Sequence, residues 1–223
     1  MRDKIARACE AAGRQPSEIT LIAVSKTVDA GRVAEAIRAG VTDLGENWVQ
    51  EAMKKRPEVE AMGLPLARWH MIGHLQTNKT KKALEVFDVF QGVDSLHLAQ
   101  EVNKRAAEAG KTIPILIEVN TSGEASKFGI DPGQAAELAA PVLELKQLSL
   151  TGLMTIGPGL SIADPERSRP CFRLLRVLRL RLEGELRIQL PWLSMGMSSD
   201  YAVAIQEGST MLRIGTAIFG PRE

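Results

Sequence analysis

Three places in this sequence carry residues that could do chemistry. Lys26 ends an apolar run over residues 19–25, and on a strand Ile22, Val24 and Lys26 would share one face. An amine set above apolar layers is partly desolvated, which lowers its pKa and frees it to attack a carbonyl and form a Schiff base. The alternative for a lone strand-end lysine is a charge that snorkels into solvent. The second place is Ser194-Met195-Gly196-Met197-Ser198-Ser199-Asp200, which leads into a short helical segment. Serine hydroxyls and helix N-terminal amides together suit an anion. The third is Arg213-Ile214-Gly215-Thr216, where the glycine admits a ligand to the backbone and Arg213 shares the face of Gly215. Taken singly, such Ser-rich and Gly-Thr turns are ordinary loop chemistry, so the fold must decide whether the three places meet.

The elements that would position them follow a repeated strand-helix pattern. Strands are predicted over 19–25, 43–45, 69–72, 89–93, 113–120, 149–155, 192–195 and 212–219. The first and fifth, ITLIAVS and IPILIEVN, are nearly continuous in apolar and β-branched residues, as parallel strands covered on both faces require. Helices are predicted over 30–39, 49–62, 79–87, 96–109, 132–145, 165–186 and 200–206. Asp131-Pro132 and Asp164-Pro165 mark helix starts. The last strand lies near the C-terminus, so the helix over 3–12, with Ile5, Cys9 and Ala12 on one face, is expected to supply the eighth cover. The expected fold is therefore α/β, a single (β/α)8 TIM-type barrel closed by an N-terminal helix, in one domain spanning residues 1–223; such barrels run from about 200 residues upward. An open doubly wound sheet is the alternative, but its Gly-rich phosphate loop is missing after the first strand.

In such a barrel the loops after strands seven and eight commonly form a phosphate site, beside strand one. A phosphorylated carbonyl compound held by a lysine suggests pyridoxal 5'-phosphate, the active form of vitamin B6. Arg213 would then face the pyridine nitrogen. An arginine cannot accept a proton, so it would leave that nitrogen unprotonated and weaken the ring as an electron sink.

At this point the sequence resembles a known family, the pyridoxal phosphate homeostasis proteins, also called the proline synthase co-transcribed family. The resemblance rests on AVSKT (23–27), GENWVQE (45–51), WHMIGHLQTNK (69–79), GLM (152–154), SMGMSSD (194–200) and RIGTAIFG (213–220). It implies a barrel like the alanine racemase N-terminal domain, Lys26 as the Schiff-base lysine, Arg213 at the pyridine nitrogen, and phosphate held by Ser198, Gly215 and Thr216. It also implies that Asn47, His74, Met154 and Met197 line the pocket. Many members carry a second lysine shortly after the first, where this sequence has Val28; Lys127 is a candidate substitute, with a solvated surface lysine as its alternative.

Composition narrows the function. With 28 Lys plus Arg against 27 Asp plus Glu the net charge is +1, which supplies no field for nucleic acid or an anionic membrane. Two cysteines, Cys9 and Cys171, neither staple a scaffold nor form a zinc pattern. No apolar run suggests a leader or a membrane span. A soluble cytoplasmic monomer is expected. Its partners would be pyridoxal phosphate and, as recipients, apoenzymes that depend on it.

Two function classes compete: a carrier that stores and delivers pyridoxal phosphate, and an enzyme such as an amino-acid racemase. A two-base racemase needs a second base, which the alanine racemase pattern draws from a tyrosine of a C-terminal β domain expected to be absent here. Tyr201, the one tyrosine, begins the helix after the phosphate loop. No catalytic residue is therefore assigned and the carrier is favoured. His70 and His74 share no helical face, so no metal site is assigned. Glu46 is either a mouth carboxylate or a structural cap. The arginines from Arg169 onward read as the solvated face of an amphipathic helix.

Overall fold

The computed structural model describes residues 1–159 and 163–221. Its strands are β1 (Thr20–Val24), β2 (Asp43–Glu46), β3 (Arg68–Met71), β4 (Val89–Val93), β5 (Ile113–Glu118), β6 (Leu148–Met154), β7 (Trp192–Ser194) and β8 (Met211–Ile214). They pair in parallel in chain order and close into a barrel, in which Ile22 stands beside Asp43 on one side and Arg213 on the other.

Alternation along each strand sorts the side chains. Ala23, Leu44, Phe90, Ile115, Ile117, Leu153, Leu193 and Ile214 point outward into one continuous apolar core beneath the helices. Each large side chain buried there contributes roughly 1.5–3 kcal/mol. Ile22, Val89, Leu116, Met154 and Met211 form a smaller cluster inside the barrel. Polar side chains also face the interior: Asp43, His70, Gln91, Glu118, Ser194 and Arg213 are all buried.

The helices are α1 (Arg2–Ala11), α2 (Ala30–Arg38), α3 (Val49–Glu60), α4 (Thr80–Val86), α5 (Leu96–Glu108), α6 (Ala135–Leu143), α7 (Arg169–Leu186), α8 (Tyr201–Gln206) and α9 (Thr216–Phe219). Asp29 and Ser95 cap α2 and α5 by accepting from the amides of Arg32 and Leu98, as N-cap residues do. Helix α1 buries Ile5 and Cys9, packs against α8, and reaches the end of α2 through a hydrogen bond from Arg2 to the Gly40 carbonyl. It thus covers the gap left after β8, as expected. Three guanidiniums of α7, from Arg169, Arg173 and Arg176, converge on Glu207 within 3.0–3.3 Å. Part of the arginine face expected to be solvated therefore joins α7 to the end of α8.

The boundaries differ in places. The strand expected over 212–219 stops at Ile214, because Gly215 turns the backbone to φ −109°, ψ −81° and α9 begins. The fifth strand ends at Glu118 rather than 120. The helices expected from Pro132 and Pro165 each start as a single 3-10 turn, with Asp131 and Asp164 as caps.

Candidate functional site

At the C-terminal ends of the strands lies a cavity of about 410 Å³, within the roughly 300–1,000 Å³ of small-molecule sites. Lys26 stands in its wall in phase with Val24. The turn behind Lys26 is held tightly. Thr27 sits at φ 63°, a left-handed conformation uncommon for a β-branched residue, and its amide donates to Glu51 Oε1 at 2.6 Å. Beneath it, Glu46 Oε1 accepts from Ser25 Oγ at 2.7 Å and from Lys55 Nζ at 2.6 Å, and Lys55 also donates to the Ser25 carbonyl at 2.6 Å. Burial pushes the Glu46 carboxyl above the usual range although Lys55 opposes it. Glu46 is therefore a structural anchor between β2 and α3, with its carboxyl on the outer side of the barrel.

The facing wall is built by the loop after β7 and the start of α9. Gly196 adopts φ +95°, and a Cβ there would meet Ala204 Cβ at 2.5 Å, so only glycine fits the bend. Asp200 ties the loop by accepting from the Met197 amide at 2.7 Å and from Ser168 Oγ at 2.6 Å. Ser198 Oγ accepts from the Ala217 amide at 3.3 Å. Ser198, Ser199, Gly215 and Thr216 thereby form a polar corner of hydroxyls and backbone.

Arg213 completes the wall from inside the barrel. Its NH1 donates to Ser194 Oγ at 2.6 Å and its NH2 to the Thr155 carbonyl at 2.7 Å. Burial pulls its pKa down to about 10, with Glu118 and Asp200 opposing, so it stays cationic at neutral pH. Glu118 faces the same interior, and burial pushes its carboxyl up to about 7, Arg213 lowering it and Asp94 raising it. Among the described residues no acidic side chain lines the cavity and Lys26 and Arg213 are its charged groups, while Val24, Ile72, Ile156 and Met197 supply apolar surface. An amine, a buried guanidinium, apolar sides and a hydroxyl-rich corner fit a flat heteroaromatic aldehyde bearing an anionic group.

Of the residues expected at a pocket, Lys26, Asn47, Met197, Ser198, Arg213, Gly215 and Thr216 share this one cavity. Met154 is fully buried in the interior cluster, packed with Ile156 instead of standing in the wall. His74 opens on an adjoining cavity of about 350 Å³ that also touches Asn47; its ring stacks on Phe128 at 4.1 Å and its Nδ1 lies 3.3 Å from Asp94. Val24, on the face of Lys26, and Ser199, in the anion-suited stretch, also stand in the wall, whereas sequence reasoning missed Ile72 and Ile156. Ile72 and Ile156 fall in phase with His70 and Met154, a period-two signal that could have found them.

His70 is wholly buried, and among the described residues no group of three or more His, Cys, Asp or Glu could hold a metal ion. Val28 is buried. Lys127 stands 3.9 Å from Glu124 and is not among the residues of the cavity wall. A larger cavity, about 640 Å³, opens at the opposite end of the barrel between α1 and the starts of β1 to β3. In this fold the chemistry sits at the C-terminal ends, so the smaller cavity with the lysine is the candidate. No helix among the described residues is long and apolar enough to cross a membrane.

Comparison with known proteins follows from this geometry. The sequence model of the family described as alanine racemase, N-terminal domain, matches residues 1–223. The chain is similar to the pyridoxal phosphate homeostasis protein of Aquifex aeolicus (strain VF5), 43% identical over 221 residues, covering 99% of this chain and 95% of that protein. The protein of the same name from Escherichia coli (strain K12) is 43% identical over 226 residues, covering 100% of this chain and 94% of that protein. Among solved structures, PipY of Synechococcus elongatus PCC7942 with PLP bound matches at a TM-score of 0.83 and 35% identity, covering 97% of this chain and 100% of that chain.

Proposed function

We propose that this chain, which belongs to the alanine racemase N-terminal domain family and within it to the pyridoxal phosphate homeostasis proteins, binds pyridoxal 5'-phosphate and serves its storage and delivery in the cytoplasm. The observation that carries this reading is the meeting of Lys26 and Arg213 with the hydroxyls of Ser198 and Thr216 around one cavity that has no acidic lining among the described residues. The name of the PLP-bound relative supports the choice of ligand.

In this reading Lys26 would hold the aldehyde through its amine, and the bound group would supply its carbonyl chemistry there. Arg213 would donate to the ring nitrogen and keep it unprotonated, since a fixed cation beside it penalises a second positive charge. Ser198, Gly215 and Thr216 hold the phosphate. Asn47 and Met197 would contact the ring from the cavity wall, Met154 would support it from the interior cluster, and His74 would act from the cavity it shares with Asn47. Recipients would be apoenzymes that need the cofactor, and the working unit a monomer of one domain.

Tyr201 begins α8 and is not among the cavity's wall residues, so the wall offers no tyrosine as a second base and the carrier reading is preferred over a racemase. The test is reduction with borohydride of protein loaded with pyridoxal phosphate, followed by mass mapping. The adduct is expected on Lys26, with the visible band abolished in Lys26→Ala. An adduct on another lysine, with Lys26 unmodified, overturns the assignment.

A further inference from the structure

A line of buried hydrogen bonds leads away from the cavity, starting at Arg213. A guanidinium can only donate, so Ser194 Oγ, at 2.6 Å from NH1, accepts and turns its own hydrogen to Gln91 Oε1 at 2.7 Å. The Gln91 amide then presents Nε2–H to His70 Nδ1 at 2.9 Å. His70 accepts at Nδ1, which leaves its proton on Nε2, 2.8 Å from Asp43 Oδ1. Asp43 ends the line, accepting also from Arg68 Nε at 2.8 Å. Every donor in the series points the same way, from the cation at the mouth to a carboxylate in the wall of the cavity at the opposite end.

This arrangement fixes more than hydrogen-bond satisfaction requires. Arg213 bonds through two different terminal nitrogens, to Ser194 and to the Thr155 carbonyl, and two such bonds define the guanidinium plane. The Ser194 hydrogen is directed at Gln91, which turns the oxygen's lone pairs toward Arg213, and the Gln91 amide is held in that orientation by the unprotonated Nδ1 of His70. Asp43 secures that tautomer. The orientation of Arg213 therefore depends on groups that do not line the cavity wall.

We propose that Gln91 and His70 are positioning residues that act through Ser194 to aim Arg213 at the heteroaromatic nitrogen of the ligand in the mouth. The inference rests on the reading of that cavity as a pyridoxal phosphate site.

The experiment compares two ligands on the full chain: pyridoxal phosphate and its 1-deaza analogue, whose ring carries C–H in place of nitrogen. Gln91→Met is expected to weaken the first roughly tenfold, one charge-assisted hydrogen bond, and the analogue little. Val89→Ala, a change in the interior cluster outside the line, should lower the melting temperature without altering the ratio of the two affinities. If Gln91→Met does not fold, Ser194→Ala cuts the same line one link nearer and is held to the same ratio. In the unliganded protein, nitrogen-15 spectra should show His70 neutral with its proton on Nε2; a proton on Nδ1 would reverse the line and overturn the inference. If wild type binds pyridoxal phosphate but Gln91→Met weakens both ligands equally, or neither, the inference fails while the cavity reading stands. If wild type binds no pyridoxal phosphate, the cavity reading itself fails.

Discussion

Replacing Glu118 by Gln tests the electrostatics of the barrel interior without any ligand. Glu118 ends β5 pointing inward, is 3% exposed, and its Oε2 has no hydrogen-bond partner. Arg213 attracts it from too far to offset the burial. The carboxyl moves from 4.5 to about 7, and at about 1.4 kcal/mol per pH unit its ionisation costs the folded state about 3 kcal/mol. The sign follows from proton counting: the folded state binds the proton more tightly than the unfolded chain, so stability is fully present below pH 4.5 and is lost as pH rises to 7. Glutamine is an uncharged near-isostere with no such dependence. Urea unfolding of the unliganded wild type and Glu118→Gln, at intervals from pH 4.5 to 8.5, isolates this group because titrations common to both cancel in the difference. The variant should gain on wild type by about 3 kcal/mol between pH 4.5 and 7.5 and by no more above that. A difference that does not change with pH would show that Glu118 is solvated or paired, and the account of the interior given above would be wrong.

The remaining expectations concern the ligand. Pyridoxal without its phosphate should bind at least about a hundredfold more weakly, since two or three charge-assisted hydrogen bonds of roughly 1.5–3 kcal/mol each are lost, and Ser198→Ala should cost about tenfold; equal affinities, read by titration of unliganded protein, would reduce the loops after β7 and β8 to ordinary turns. Arg213→Glu should let the ring nitrogen take a proton, visible as a nitrogen-15 shift towards pyridinium; a pyridinium already present in the wild type refutes the role given to Arg213. Amino acids incubated with loaded wild-type protein should not release their α-hydrogen at ordinary enzyme rates, and release at such rates would favour the racemase reading.

Much of the frame is legible because it follows from covering. Strands buried on both faces must be apolar throughout, and ITLIAVS and IPILIEVN state that directly. The end of the eighth strand is not legible, because Ala217, Ile218 and Phe219 are apolar and a run that short suits a strand or a helical turn equally well. What stops the strand is the backbone at Gly215, and no side chain announces it. Lys26 and Arg213 are legible for a different reason. Each follows, at a spacing of two, an interior residue of its own strand, Ile22 and Val24 for one and Met211 for the other, so alternation alone places both inside.

Alternation also separates two glutamates that look alike in the sequence, since both end a strand. Glu46 follows Gly45, which points inward against Ile72 and Ile22, so its own carboxyl must point outward, where Lys55 meets it. Glu118 is in phase with Leu116 of the interior cluster, and its Oε2 has no hydrogen-bond partner among the described residues. The parity of each was available from the strand it ends, but the partner of neither was, because Lys55 comes from the next helix and Arg213 from a strand 95 residues later, brought near only when β8 pairs with β1. The same holds for Ser194, Gln91 and His70: each reads as a lone polar residue in an apolar strand until closure sets them in line. Their effect on the site is a matter of charge balance. Near neutral pH the raised pKa of Glu118 keeps much of its carboxyl protonated, and the carboxylate that ends the polar line, Asp43, is held at about 2 because hydrogen bonds from His70, Arg68 and Thr42 outweigh its burial. Asp43 is already committed to those donors at the other end of the barrel. The charge of Arg213 is thus met chiefly by Asp200, whose carboxylate is itself tied to the Met197 amide and Ser168 Oγ in the loop after β7, and little from the barrel interior.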